Sequence, residues 1–112
     1  MMRSARGEIW IIDLTDSRGH EQGGKRPVIV MASVIGMNIV IPLTTQIKVL
    51  NYPHTYLIEP TSSNGLSAPS IAMTFQIVAI DEKRLEKTIG KISHADNEIV
   101  KALLIDLLGL YK

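Results

Sequence analysis

Short apolar runs alternate with polar, glycine-containing links along this chain. Residues 8–14 are rich in isoleucine with one tryptophan, and Asp13 is opposite in parity to Trp10, Ile12 and Leu14, which predicts a first strand. Residues 16–24 are a polar link with three glycines, longer than the usual connection of about 4–6 residues. Residues 27–32 and 38–43 predict a second and a third strand around a turn at 33–37. Their nearly continuous apolar character fits strands covered on both faces. A second polar link, residues 44–54, is broken by Pro53. Residues 55–59 alternate like a strand, and Asn64-Gly65 marks the tip of a hairpin within 60–68. Residues 70–80 form the longest strand candidate, 81–87 a short helix and 88–92 a last strand. Ser93 is a good N-cap, with Asp96 three positions on completing the capping pattern. Ile99, Val100, Leu103, Leu104, Leu107 and Leu108 then make one stripe of a C-terminal helix. The pattern predicts a mainly β, partly closed small barrel with a short helix and a C-terminal helix, in one domain over residues 1–112.

Composition narrows the setting. The chain has no cysteine, which excludes disulfides and thiolate ligands. His20, His54 and His94 are scattered without metal-site spacing, so no metal or cofactor is expected. No window reaches the roughly 20 apolar residues of a membrane span, and no apolar stretch like a signal peptide's follows the N-terminus. A cytoplasmic protein without membrane contact is expected. A net charge of +1 argues against indiscriminate binding of nucleic acid. Residues 27–80, however, carry only Lys48 and Glu59 as charged side chains. So much apolar surface in a small chain predicts a two-fold dimer.

The chemistry gathers at one end of that charge-poor segment. Gly19-His20-Glu21-Gln22-Gly23-Gly24-Lys25-Arg26-Pro27 sets an imidazole, a carboxylate and a basic pair on a glycine-rich lip that runs into a strand. Chemistry on a phosphodiester needs that mixture: fixed positive charge for the phosphate oxygens and groups that can move a proton. An arginine fork donates two hydrogen bonds to phosphate oxygens. A histidine, with a reference pKa of about 6.5, exchanges protons near neutrality.

The same segment resembles the signature of the MazF/PemK/Kid toxins. Arg6-Gly7-Glu8-Ile9-Trp10 is similar to that family's opening strand, and Ile41-Pro42-Leu43-Thr44-Thr45-Gln46, Tyr52-Pro53, Gly65-Leu66, Gln76-Ile77, Ile80-Asp81, Lys83-Arg84-Leu85 and Ile89-Gly90 continue the pattern in order. The resemblance implies an SH3-like, partly open β-barrel of the CcdB/PemK type that forms a homodimer. It also implies metal-independent, sequence-specific cleavage of single-stranded RNA, leaving 2′,3′-cyclic phosphate and 5′-hydroxyl ends. A cognate antitoxin would neutralise the toxin with an extended acidic segment. By position, Arg26 and Thr44 match the principal catalytic pair, Glu21 a carboxylate needed for activity, and His20 a histidine that some members replace with serine. Gly24, Lys25, Lys48 and Gln76 are the candidates for RNA contact.

The chain also departs from the pattern. Met73, Phe75 and Val78 stand where many members carry charged residues around the glutamine, and the turn at 33–37 is shorter than in many relatives. Two other readings therefore stay open: a gyrase-binding toxin like the CcdB-type relatives, and a non-catalytic relative kept for its antitoxin contacts. In the ribonuclease reading Arg26 and Thr44 grip the scissile phosphate, while Glu21 or His20 accepts the proton.

Overall fold

The computed structural model describes residues 4–13 and 24–110. Its strands are β1 (Glu8–Asp13), β2 (Lys25–Val34), β3 (Met37–Thr44), β4 (Thr55–Ile58), β5 (Ser70–Met73), β6 (Val78–Asp81) and β7 (Leu85–Lys91), followed by one α-helix, α1 (His94–Leu108). All pairings are antiparallel, in the order β4-β5-β3-β2-β1-β7, with β6 also on β3. Strand β3 is therefore shared: Met37 to Val40 lie against β6, while Leu43 and Thr44 lie against β5. No ladder joins β6 to β7 among the described residues, so the curled sheet is a partly open barrel.

Alternation of side chains sorts the central strands into two cores. Ile9, Ile29, Met31, Ile41 and Leu43 enter one, with Ile58, Ala72 and Val100 of the helix. Trp10, Ile12, Val28, Val30 and Val40 enter the other, with Leu85. Each such buried aliphatic side chain contributes about 1.5–3 kcal/mol, which is why β1, β2 and β3 can be apolar on both faces.

The sequence expectations fail at three places, each for a physical reason. Residues 70–80 are not one strand. Extending the Leu43–Ala72 register would set Val40 opposite Phe75, but Val40 lies opposite Val78, three residues later. The 3₁₀ turn Thr74–Gln76 takes up those three residues. Residues 81–87 are not a helix. One 3₁₀ turn, Glu82–Arg84, is capped by the Asp81 carboxylate, which accepts the Lys83 N–H at 2.8 Å; burial of Leu85 then draws the chain into β7. Asn64-Gly65 is not an exposed two-residue hairpin tip. Asn64 is buried inside the β4–β5 link, where its Oδ1 accepts the N–H groups of Thr61 and Leu66 and its Nδ2 donates to the Glu59 carbonyl. The tight two-residue turn is Ile35-Gly36, inside the turn expected over 33–37, both at positive φ (48° and 79°) as a type I′ hairpin requires.

The helix is capped at both ends but only partly as foreseen. Ser93 Oγ accepts the Asp96 N–H at 3.0 Å, and Gly109 ends the helix at φ 68°. The Asp96 carboxylate turns to the sheet, where it accepts the Tyr56 hydroxyl at 2.6 Å. Of the six stripe residues only Val100 is fully buried; Ile99 and Leu108 are exposed.

Candidate active site

Arg26 is the second residue of β2 and Thr44 the last of β3. The register that pairs Val28 with Pro42, carried two residues further along each strand, sets Arg26 across from Thr44 on the face that carries Val28 and Val40. Both residues line one cavity of about 230 Å³, together with Lys25, Thr45, Gln46 and Ser70. Arg26 is half-buried, and among the described residues no hydrogen bond or ion pair takes up its guanidinium. Thr44 Oγ1 accepts the Gln46 N–H at 3.2 Å, which leaves the hydroxyl proton for a ligand. Two hydrogen-bonding groups on adjacent rigid strands thus face one small polar space, the arrangement that holds a phosphate.

Around this pair the expected residues divide. Lys25 Nζ donates to both carboxylate oxygens of Glu86, at 2.7 and 2.9 Å. The Glu86 hydrogen bond raises the Lys25 ammonium above the ordinary lysine value; desolvation opposes this, and the charges of Glu86 and Asp13 add to it. Gly24 lies just upstream at φ 81°, a left-handed conformation that favours glycine. Lys48 is exposed on the 3₁₀ turn Ile47–Asn51, and Gln76 is exposed at the end of the Thr74–Gln76 turn; neither lines the cavity. His20 and Glu21 lie outside the described residues, as do the rest of the link before Gly24 and Leu14, the expected end of β1. Met73 is buried and Phe75 packs edge-on against Tyr52 at 5.8 Å, so two of the three apolar departures near Gln76 serve packing.

Sequence reasoning missed Ser70. It is 3% exposed, donates to the Ala68 carbonyl at 3.0 Å and forms part of the cavity wall. Nothing local marks it, because docking of β5 on β3 brings it there. Thr45 had a signal, the polar run that begins where β3 ends. A larger cleft of about 400 Å³ lies at the start of α1, between Arg6, Lys91, His94 and Asn97, and contains neither Arg26 nor Thr44. No group of three or more metal-ligating side chains occurs among the described residues.

Comparison with known proteins identifies the family. A family described as PemK-like, MazF-like toxin of type II toxin–antitoxin system matches residues 5–108, and the chain belongs to that family. Endoribonuclease MazF9 of Mycobacterium tuberculosis is 36% identical over 106 residues, covering 86% of each chain. Endoribonuclease EndoA of Bacillus subtilis is 35% identical over 100 residues, covering 85% of this chain and 83% of its own. The fold is that of the MazF in a MazE–MazF structure from Deinococcus radiodurans, with TM-score 0.77 at 24% identity over 99% of this chain and 100% of that one.

Proposed function

We propose that this chain is an endoribonuclease toxin that cuts single-stranded RNA in the cytoplasm by metal-independent transesterification. The observation that carries the proposal is the meeting of Arg26 and Thr44 in one cavity. Its volume is below the roughly 300–1,000 Å³ of sites that enclose whole small molecules, and suits one phosphodiester linkage with the rest of the strand outside. The endoribonuclease names of two relatives with more than a third of their residues in common point the same way.

The chemistry follows from the groups present. The ribose 2′-hydroxyl loses its proton and attacks the adjacent phosphorus; the bond to the 5′ oxygen breaks, and that oxygen takes up a proton. A 2′,3′-cyclic phosphate and a 5′-hydroxyl remain. Arg26 donates to the non-bridging oxygens as charge grows on the phosphorane, the moment at which a fixed cation contributes most. The Thr44 hydroxyl orients one of those oxygens. Glu21 or His20 accepts the 2′ proton. Gly24, Lys25, Lys48 and Gln76 contact the strand beyond the cut.

Val34, Met37 and Val78 leave exposed apolar surface at one end of the sheet, consistent with a two-fold dimer. An antitoxin with an acidic segment would compete with RNA for the same cations. Among the described residues no helix is long and apolar enough to cross a membrane.

The test is to incubate the purified protein with a long RNA in the presence of a chelator and to map the new ends. Discrete cuts with 5′-hydroxyls are expected. Arg26→Ala lowers the cleavage rate about 10²–10³-fold, and Thr44→Val lowers it less, with folding and dimerisation unchanged. Intact RNA under these conditions, or a fully active Arg26→Ala, overturns the proposal.

A further inference from the structure

The Lys25–Glu86 ion pair beside the cavity has no counterpart in the reaction just described. Lys25 stands immediately before Arg26 and is among the residues lining the cavity, yet its ammonium is held by both oxygens of Glu86. Glu86 comes from β7, on the far side of β1, so the pair spans three neighbouring strands. Asp13 of β1 is the register partner of Lys25 and adds a second negative charge beside it. The lysine side chain is 56% exposed and the glutamate 34%, so solvent and an incoming ligand can reach both.

We infer, on the ribonuclease reading, that Glu86 is an electrostatic brake on RNA binding: it neutralises Lys25 next to the Arg26 cavity and repels the phosphates of a strand that approaches it. Without RNA the cavity presents the guanidinium of Arg26, while the charge of Lys25 is cancelled. An RNA phosphate must then displace the Glu86 carboxylate to reach Lys25, and the displaced carboxylate stays within the screening distance of about 10 Å at 0.1 M salt. The barrier falls equally on every polyanion. Strands that also engage Arg26 and Thr44 recover the loss, whereas those held by backbone charge alone do not. Glu86 thereby lowers non-specific affinity without entering the chemical step. The opposite arrangement, in which Glu86 splints Lys25 towards the phosphate, predicts the reverse sign.

Binding is measured by fluorescence anisotropy with a labelled 2′-fluoro single-stranded oligonucleotide pool, which cannot be cut, at salt concentrations from 50 to about 300 mM, a range over which counterion release is resolved. Cleavage of a long RNA is followed separately. Glu86→Gln is expected to tighten binding about three- to tenfold at the lowest salt and to steepen the log–log salt slope by about 0.7, the value of one added phosphate contact on a single strand. It leaves kcat unchanged and lowers KM. Lys25→Gln weakens binding, since Glu86 is then uncompensated, and the double variant Lys25→Gln/Glu86→Gln returns close to the parent. Equal affinity and slope in Glu86→Gln overturn the brake, as does weaker binding, which would identify a splint. The two readings fail separately. Cleavage with no change in binding removes the brake alone; the expected binding shifts without any cleavage remove the ribonuclease chemistry and leave the brake.

Discussion

Two hairpins build the site, and they are held in different ways. The β2–β3 hairpin is self-sufficient: a long ladder, a two-residue I′ turn at Ile35-Gly36 and apolar residues on both faces fix its register. It supplies both Arg26 and Thr44. The β4–β5 hairpin has short strands joined by a long link, and it holds its place by docking. Lys91 N–H donates to the Ser63 carbonyl at 2.9 Å, Tyr56 bonds Asp96 of the helix, and His54 Nε2 lies 2.8 Å from Asp106 Oδ2. It supplies Ser70, a wall of the cavity. The Arg26–Thr44 pair thus stands on the element that local forces determine, and the enclosure on the element that tertiary contacts determine.

The largest effect comes from breaking the docked hairpin. Gly65 sits at φ 73°, and a Cβ there would lie 2.0 Å from the Ile89 carbonyl oxygen; a Cβ on Gly90 would lie 2.4 Å from the carbonyl carbon of Asn64. Two backbones touch at this crossing, with no flexible side chain to give way. Gly65→Ala is expected to destabilise the fold by about 2–4 kcal/mol, read as a lower urea midpoint. At temperatures where the variant stays folded, kcat should fall less than in Arg26→Ala, because Arg26 and Thr44 keep their own ladder. A Gly65→Ala protein as stable as the parent would show that the link does not brace the hairpin.

This division explains what the sequence disclosed. Continuous apolar runs either side of a short turn announced β2 and β3; the basic pair before one, and by the family resemblance the threonine after the other, pointed to the candidate site. The split of residues 70–80 could not be read there, because it arises from the three-residue offset between two partners of β3. The last strand expected over 88–92 is there, but β7 begins earlier, at Leu85, for a similar reason: the polar sequence of residues 81–87 suits a helix, and pairing with β1 together with burial of Leu85 overrides it. Gly65 and Gly90 were visible as residues, but the crossing that requires them joins segments distant in sequence.

The Tyr56–Asp96 bond gives a smaller effect with a pH signature. Donation to the carboxylate, then burial, then the charge of Asp96 push the Tyr56 hydroxyl up to about 12. The native state therefore keeps this proton where the unfolded chain, titrating near 10, has lost it. The resulting stabilisation is complete below about pH 10 and disappears as pH rises through about 12. Tyr56→Phe should lower stability by about 1–2 kcal/mol at neutral pH. The gap from the parent should close across that alkaline window in urea titrations. A gap independent of pH would assign the loss to packing rather than to the hydroxyl.

The smallest effect is a gain, and it falls on the self-sufficient hairpin. Ile35 is 95% exposed and held at φ 48°, a conformation that a β-branched residue resists, while Gly36 beside it is well suited to φ 79°. Asparagine is the preferred first residue of a type I′ turn, and the exposed Ile35 side chain contributes little packing within the chain. Ile35→Asn should therefore raise stability by about 0.5–1 kcal/mol, as a higher urea midpoint at unchanged m-value, with cleavage unaffected. Sedimentation at the same concentrations separates this gain from assembly. If Ile35 instead packs against a second copy, the variant dissociates on dilution and its midpoint falls with concentration, which places this end of the hairpin in the subunit interface.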